Sequence, residues 1–221
     1  MEIFISRDGR QDGPYSGLGI LFNNPFRVLG VPVDATAKNI EKSLGRAKAL
    51  ASIGREIEFD SDIPLAVEPE RTMESLQMAR GKIEQLGDRL EHSLWWFWSG
   101  STADEMAFDA LRAGDEGKAV DIWSRVADGK PVSDSNYSAV RNLGLYYLGA
   151  SVATGSIRKR KLQKSLELLG AFIGSTEHLD DYLHMVARSG RMAVESRELT
   201  ESFGRVVARF LAVALSAKAI S

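Results

Sequence analysis

The chain has 221 residues, of which 44% are hydrophobic and 26% charged, and its formal net charge is −2. This composition predicts a folded globular protein and gives no global sign of binding to nucleic acid or to an anionic membrane. The absence of cysteine excludes disulfides and thiolate metal sites, which fits a reducing compartment.

Neither end of the sequence has the pattern of a targeting or membrane segment. The N-terminal residues lack the cationic stretch followed by an apolar run that marks a secretory signal. The most apolar stretch, "VVARFLAVALSAKAI", is too short to cross a bilayer and contains Arg209 and Lys218. We therefore expect a soluble cytoplasmic protein without a membrane partner.

Residues 1–22 differ from the rest of the chain because they favour β structure. "EIFIS" alternates in polarity, and "RDGRQDGP" supplies turn residues before a second short stretch. The pattern predicts a small β-hairpin, which must pack on something because an isolated hairpin is marginally stable in water. "ISRDGRQDGPYS" also resembles the start of GYF-like domains over about a dozen residues, and we interpret this as a fragment and not as a peptide-binding site.

From residue 25 the pattern becomes helical. "NPFRVLG" predicts a short helix with Asn24 as its N-cap, Pro25 in the first position and Gly30 after its end. Residues 36–53 predict a second helix that Gly54 terminates. Its apolar face consists of Ile40, Leu44, Ala47 and Leu50/Ala51.

A long loop and the clearest helix of the sequence follow. Residues 55–71 hold two prolines, many carboxylates and no helical period, as is typical of a functional or mobile loop. The next apolar residues recur every three or four positions and predict a helix, with a break or kink at Gly87-Asp88. These residues are Leu76, Ala79, Ile83, Leu86 and Leu90. We expect the short helix after the break to end in "LWWFW" at 94–98.

Beyond Ser99 the sequence predicts paired helices. One pair turns at Gly114, a second turns near 154–156, and two further helices are expected at 177–189 and 193–218. "ALRAGDEGKAVDIWSRV" and "NLGLYYLG" resemble helices of tetratricopeptide repeats, in which small residues allow close helix approach, although the 34-residue period is not kept. We expect an all-α fold with a β element at 1–22, a J-like helical region at 23–99 and a repeat-like helical region at 100–221.

Residues 24–98 resemble a J-domain, the helical hairpin by which co-chaperones engage the large heat-shock ATPase. Such domains open with an aromatic residue, then "VLG", then a capped second helix, and "PFRVLGVPVDATAKNIEKSL" matches that opening. "SLQMARGKIEQLGDRLEHSLWWF" stands where the family has its long partner helix and a short closing helix. The resemblance implies a hairpin of two long antiparallel helices.

The working part of the J-domain family is missing from this chain. The family carries a His-Pro-Asp tripeptide between its second and third helices. None of the three histidines, His92, His178 and His184, precedes a proline, and the corresponding loop offers "DSDIPLAVEPE". The resemblance therefore implies the scaffold without stimulation of an ATPase.

Two groups of residues are candidates for binding a partner. Lys38, Lys42 and Arg46 recur every four positions and form a basic stripe opposite the apolar face of their helix. In J-domains this face docks on an acidic chaperone surface, but a solvated face is the common alternative. The second group is Trp95, Trp96 and Trp98, since consecutive helical residues cannot all face one core. They either plug the junction between the two halves or anchor a partner.

No motif predicts catalysis, a cofactor or a metal. His178 and His184 are six residues apart, so on one helix their rings point about 120° apart and do not converge on an ion. Phosphate-loop, nucleotide-binding, hydrolase and kinase signatures are also lacking. We expect no enzyme activity, although an active site assembled from distant residues stays open.

These observations predict a non-catalytic interaction or adaptor protein whose partner is a protein, with a heat-shock chaperone as one candidate. The alternatives are an active co-chaperone with a divergent loop, and a helical ligand-binding or enzyme domain. The apolar arc of 193–218 is wider than a half-buried helix needs, so this helix either lies deep in the domain or forms a homodimer.

Overall fold

The computed structural model describes residues 19–152 and 158–192, together with residues 197, 201, 204, 205, 208 and 212. The described residues contain helices and no strand, so the all-α prediction is confirmed for this part of the chain. The helices are α1 (Gly19–Phe22), α2 (Pro25–Val28), α3 (Ala37–Ser52), α4 (Met73–Glu84), α5 (Leu86–Ser93), α6 (Thr102–Arg112), α7 (Glu116–Ala127), α8 (Tyr137–Val152), α9 (Lys159–Gly174) and α10 (Thr176–Ser189).

Several predictions lie partly or wholly outside the described residues. The proposed hairpin falls mainly on 1–18, but its last four residues form helix α1, so the β element does not extend to residue 22. The turn at 154–156 and the helix at 193–218, with the dimer proposed for it, also lie outside the continuously described ranges.

The first two helices are short, and a buried asparagine connects them. The Asn24 side chain accepts a hydrogen bond from the Phe26 amide at 3.0 Å, as predicted for the N-cap of α2. Its amide group donates to the carbonyls of Ile20 at 3.0 Å and His92 at 2.8 Å. Gly30 follows α2 with a φ of 62°, a left-handed conformation that glycine adopts without strain. These bonds fix where the chain leaves α2.

Helices α3 and α4 lie side by side, as the sequence predicted. Each begins with a threonine whose side chain caps the third helical residue, Thr36 for α3 and Thr72 for α4. Arg80 near the end of α4 pairs with Glu41 near the start of α3 at 2.9 Å, which shows that the two helices run antiparallel. Their buried faces consist of Ile40, Leu44 and Ala47 in α3 and Leu76, Ala79 and Ile83 in α4.

The predicted break between α4 and α5 exists, but it lies at Gln85. This residue is extended, with a ψ of 127°, and it separates the two helices two residues before Gly87. Gly87 itself is helical and lies against Arg205, whose Nη2 would be only 2.3 Å from a Cβ at that position. Helix α5 ends at Ser93, so residues 94–98 are not helical.

The remaining helices pack as neighbouring pairs. Helix α6 packs on α7 across the predicted turn at Gly114, α8 packs on α9, and α10 packs on both α5 and α9. Gly144 of α8 shows how closely α8 and α9 approach, because a Cβ there would lie 2.8 Å from Cγ of Leu169. The small residue at this position thus allows the close helix contact expected from the sequence.

The buried apolar residues of the described chain form one continuous cluster that extends from α1 to α10. Residues 94–98 lie within this cluster, between the helices that precede them and those that follow. No helix among the described residues is both long and apolar enough to cross a membrane.

Candidate functional site around the loop between α3 and α4

The loop at 55–71 has a defined conformation because Arg71 clamps it. The guanidinium donates to both carboxylate oxygens of Asp62, at 2.6 and 2.7 Å, and to the carbonyls of Arg27 at 2.8 Å and Val28 at 3.1 Å. Asp62 also accepts from the amide of Phe59 at 3.0 Å. A bidentate arginine–carboxylate pair is among the strongest side-chain contacts, so this clamp fixes the middle of the loop on the end of α2.

A second arginine holds the later part of the loop. Arg27 of α2 is 2% exposed, and its Nη1 donates to the carbonyls of Phe22 at 2.9 Å and Val67 at 2.5 Å. Its nearest carboxylate is Glu68, at 3.6 Å from Nη2, and that side chain is 75% exposed. Burial lowers the pKa of Arg27 to about 10, because the positive charge is removed from water with incomplete compensation.

Phe59 and Ser61 attach the tip of the loop to Gly30. The Phe59 ring occupies the space that a side chain at residue 30 would need, since a Cβ there would lie 2.2 Å from a ring carbon. The Ser61 hydroxyl donates to the Gly30 carbonyl at 2.7 Å. The loop that lacks the His-Pro-Asp tripeptide is therefore held to the rest of the chain by hydrogen bonds and ring contacts of its own residues.

The basic stripe of α3 is exposed, as its periodicity predicted, but its three members are not equivalent. Arg46 makes a bidentate contact with Asp60 of the loop, at 2.7 and 3.0 Å, which lowers the pKa of Asp60. Lys38 and Lys42 are exposed and form no ion pair with a described residue. The structure therefore leaves two cations of the stripe available to a partner and places the third against the loop.

The aromatic stretch is buried under the chain's own helices. Trp95, Trp96, Phe97 and Trp98 are between 2% and 8% exposed. Phe97 stacks on Trp123 of α7 at 6.3 Å between ring centroids. Because these residues leave the helix, they can all enter the core, which the helical expectation did not allow. Their burial indicates that these residues pack in the core. The role of Trp95, Trp96 and Trp98 in binding a partner stays a prediction.

Trp96 and Trp98 contact different parts of the molecule. Arg27 lies over the Trp96 ring at 5.8 Å, whereas Trp98 packs on Tyr137 of α8 and Tyr182 of α10, both at 5.4 Å. The stretch thus joins the α1–α5 region to the later helices, as expected for a junction.

Sequence analysis did not identify two other buried arginines. Arg141 of α8 is fully buried, and its Nη2 donates to the carbonyls of Ser93 and Trp96. Arg89 of α5 donates to the carbonyls of Ala35 at 2.8 Å, Val33 at 3.1 Å and Val186 at 3.3 Å. Neither forms an ion pair with a described residue, and burial lowers the pKa of each.

A buried carboxylate was also not anticipated. Asp104 of α6 has no exposed surface and accepts from Trp123 Nε1 at 2.9 Å, Asn142 Nδ2 at 2.8 Å, Ser138 Oγ at 2.6 Å and Ser101 Oγ at 2.7 Å. Four donors satisfy its two oxygens, so this group links α6, α7 and α8 and leaves no lone pair directed at a ligand.

One contact has the residue types of a hydrolase triad. His178 Nδ1 lies 2.6 Å from Ser175 Oγ, and its Nε2 lies 3.2 Å from Asp134. Ser175 directly precedes α10 and His178 is the third residue of that helix, so the contact joins two side chains of the same first turn. None of these residues lines the cavities around the loop, and Asp134 is 99% exposed.

His184 lies on the same helix but does not converge with His178. Its ring contacts the Asp180 carbonyl at 3.0 Å, and its side chain is 45% exposed. Among the described residues, no group of three metal-binding side chains comes together.

Three adjoining cavities surround residues 59–63, with volumes of about 620, 440 and 200 Å³. The largest is mainly acidic, and its carboxylates are Glu56, Glu58, Asp60, Asp62 and Glu68. The one of about 440 Å³ runs along α3 and includes Lys42 and Arg46. The smallest lies between the loop and α6 and has aromatic walls. The loop is therefore bordered by three cavities of different lining.

No known protein family, curated protein or solved structure gives a significant match to this chain.

Proposed function

We infer that the protein is a non-catalytic interaction protein that binds an acidic surface of a protein partner through α3 and the adjoining loop. The observation that carries this proposal is the exposure of Lys38 and Lys42 beside a loop held in a defined conformation. Exposed cations on a rigid helix steer an oppositely charged partner and fix its orientation.

A heat-shock chaperone is the first candidate partner, on the basis of the J-domain resemblance at 24–98. The proposal includes no stimulation of ATP turnover. The loop in the relevant position contains no histidine, and its two aspartates are already engaged, Asp60 by Arg46 and Asp62 by Arg71. A side chain committed to an internal pair is not free to act on a partner without breaking that pair.

The test measures binding of the purified protein to a bacterial heat-shock ATPase, and ATP turnover in the same mixtures. We expect saturable binding that weakens as salt rises, with turnover unchanged. The Lys38→Glu/Lys42→Glu variant should bind at least about tenfold more weakly, since it reverses two interfacial charges.

The control is Lys48→Glu/Lys118→Glu, which makes the same charge change at exposed lysines outside the stripe. Equal loss in both variants would indicate a general charge effect and contradict a role for the stripe. Increased ATP turnover would replace the adaptor interpretation with that of a divergent active co-chaperone. Absence of binding would exclude this chaperone and leave the partner to be found by cross-linking in the native cytoplasm.

A further inference from the structure

The cavity of about 200 Å³ lies where the α3–α4 loop, the chain after α2 and helix α6 meet. Trp96, Phe97 and Phe108 supply aromatic surface, and Arg27 and Arg112 supply cations. The cavity is smaller than the roughly 300–1,000 Å³ typical of pockets for drug-sized ligands, and it lies between two regions of the chain, a common position for small-molecule sites.

Arg27 is the feature that distinguishes this cavity from a packing defect. The Arg27 side chain is 2% exposed. Both of its hydrogen bonds are donated by Nη1, to the carbonyls of Phe22 and Val67. Nη2 and Nε make no hydrogen bond to any described residue, and the nearest carboxylate is 3.6 Å away on the exposed Glu68. Nη2 and Nε together carry three N–H groups, so a cation that lines the cavity keeps donors for an acceptor that enters it.

The carboxylates near the cavity compensate the positive charge of Arg27 only in part. Asp62 also lines the cavity, but Arg71 binds both of its carboxylate oxygens. Arg112 adds a second cation whose only ion-pair partner in the described chain is Asp109, at 2.9 Å. Asp109 is 76% exposed, and ion pairs of this kind are weak, so Arg112 can exchange it for another anion at little cost.

The apolar part of the cavity lining constrains the uncharged part of an anion that binds there. Trp96 is 5% exposed, and its indole N–H has no acceptor among the described residues. Phe97 and Phe108 meet edge to face, with 5.7 Å between ring centroids. Such a wall favours a flat or aliphatic group, whereas a small hydrated anion would leave the aromatic surface uncovered.

We propose that this cavity binds a small organic anion, a carboxylate with a compact apolar body, with the carboxylate on Arg27 and Arg112 and the apolar body on the aromatic wall. The site is independent of the interaction function proposed above, and its test requires no protein partner.

The experiment titrates the full chain with benzoate, with its uncharged analogue benzamide and with inorganic phosphate, followed by calorimetry and ligand-detected NMR. Benzoate should bind saturably with a dissociation constant of about 1 mM or lower, as is usual for a ligand of this size. Benzamide should bind at least about tenfold more weakly, because it lacks the charge that meets the arginines. Phosphate should also bind at least about tenfold more weakly, because it lacks the apolar body. Equal binding of benzoate and either comparison ligand would overturn the proposal, as would no binding of benzoate.

Two variants locate the binding. Arg112→Gln should weaken benzoate binding at least about fivefold, and Arg27→Gln should weaken it more. Arg125→Gln is the matched control, because Arg125 is an exposed arginine of α7 outside the cavity, and it should bind like the parent protein. Arg27 also holds the loop, so if Arg27→Gln does not fold, Arg112→Gln decides. Unchanged affinity in Arg112→Gln would show that benzoate binds elsewhere and would overturn the proposed site.

Discussion

Residues 19–98 contain two helices of only four residues, and arginine side chains tie their connecting segments together across long stretches of sequence. The continuous helices described after Ser99 include none so short. They have 11 to 16 residues, as α3 and α4 do, and pack mainly through apolar and aromatic faces around one buried carboxylate. A helix of four residues offers little apolar surface, so the first region requires hydrogen bonds from distant side chains to fix its loops.

The two regions therefore differ in what a substitution should change. In the later helices, stability depends on filling volume, and damage is felt throughout the shared core. Around the loop, stability depends on polar contacts near the surface, where water replaces part of what is lost. Truncations in the aromatic junction should consequently have larger effects than changes in the loop clamp.

Trp96→Ala should have the largest effect of the substitutions considered. Removing a ring that is 5% exposed leaves a cavity between the two regions and should cost about 3–5 kcal/mol in the free energy of unfolding. For a chain of this length the melting temperature should fall by about 10 °C. Thermal and denaturant unfolding followed by circular dichroism measure both quantities. An unchanged melting temperature would contradict the junction role and favour an exposed binding role for Trp96.

Arg141→Met should cost less, about 2–3 kcal/mol. Met fills much of the volume but leaves the Trp96 carbonyl without the arginine, whereas the Ser93 carbonyl still accepts from Tyr182 at 2.8 Å. Denaturant unfolding measures the loss, and Arg125→Met on an exposed face serves as the control. A loss below about 0.5 kcal/mol would show that removing the cost of burying the arginine charge offsets the lost hydrogen bonds.

The later helices were largely predictable from the sequence, because a 3.6-residue apolar period and Gly114 are local signals. The N-cap of α2 and the position of Gly30 were predictable for similar reasons, whereas an antiparallel contact of α3 with α4 was expected only from the resemblance to J-domains. The contacts of Arg27, Arg71 and Arg141 were not, since each joins residues 40 or more positions apart and no periodicity marks an arginine that binds carbonyls. The break at Gln85 was missed because the local sequence pointed to Gly87, which lies inside α5 instead.

The candidate site was predictable only in part. The exposure of Lys38 and Lys42 followed from helical spacing, but the pairing of Arg46 with Asp60 depends on how the loop folds back. The small cavity depends on three separate segments, so no single motif could indicate it.

Asp62→Asn should lower stability by about 1 kcal/mol, because an amide keeps one acceptor for Arg71 but loses the charge and the second acceptor. The effect on local opening of the loop should exceed the effect on the free energy of global unfolding. Trypsin should cleave after Arg55 several-fold faster under native conditions, because the released loop opens more often. Asp60→Asn is the matched control in the same loop, since its partner Arg46 is at the surface and exposed pairs contribute little. Equal cleavage rates in the two variants would show that the Arg71 clamp does not hold the loop.

The last prediction concerns an effect of pH that is confined to alkaline solution, and it tests the packing of the later helices. Burial and a 2.7 Å hydrogen bond to Glu116 raise the pKa of Tyr146 above its usual value near 10. The unfolded chain therefore releases this proton first, so the contribution of Tyr146 to stability is present below about pH 10 and declines as pH rises above it. Tyr146→Phe removes that decline, and its free energy of unfolding should fall less steeply between about pH 10 and about pH 11, by up to about 1.4 kcal/mol per pH unit. Arg27 contributes with the opposite sign, because its pKa of about 10 is lowered by folding, but it is common to both proteins and cancels in the difference. Equal slopes in the two proteins would show that Tyr146 ionises as readily in the folded chain as in the unfolded one, and that the contact between α7 and α8 is open to water at this point.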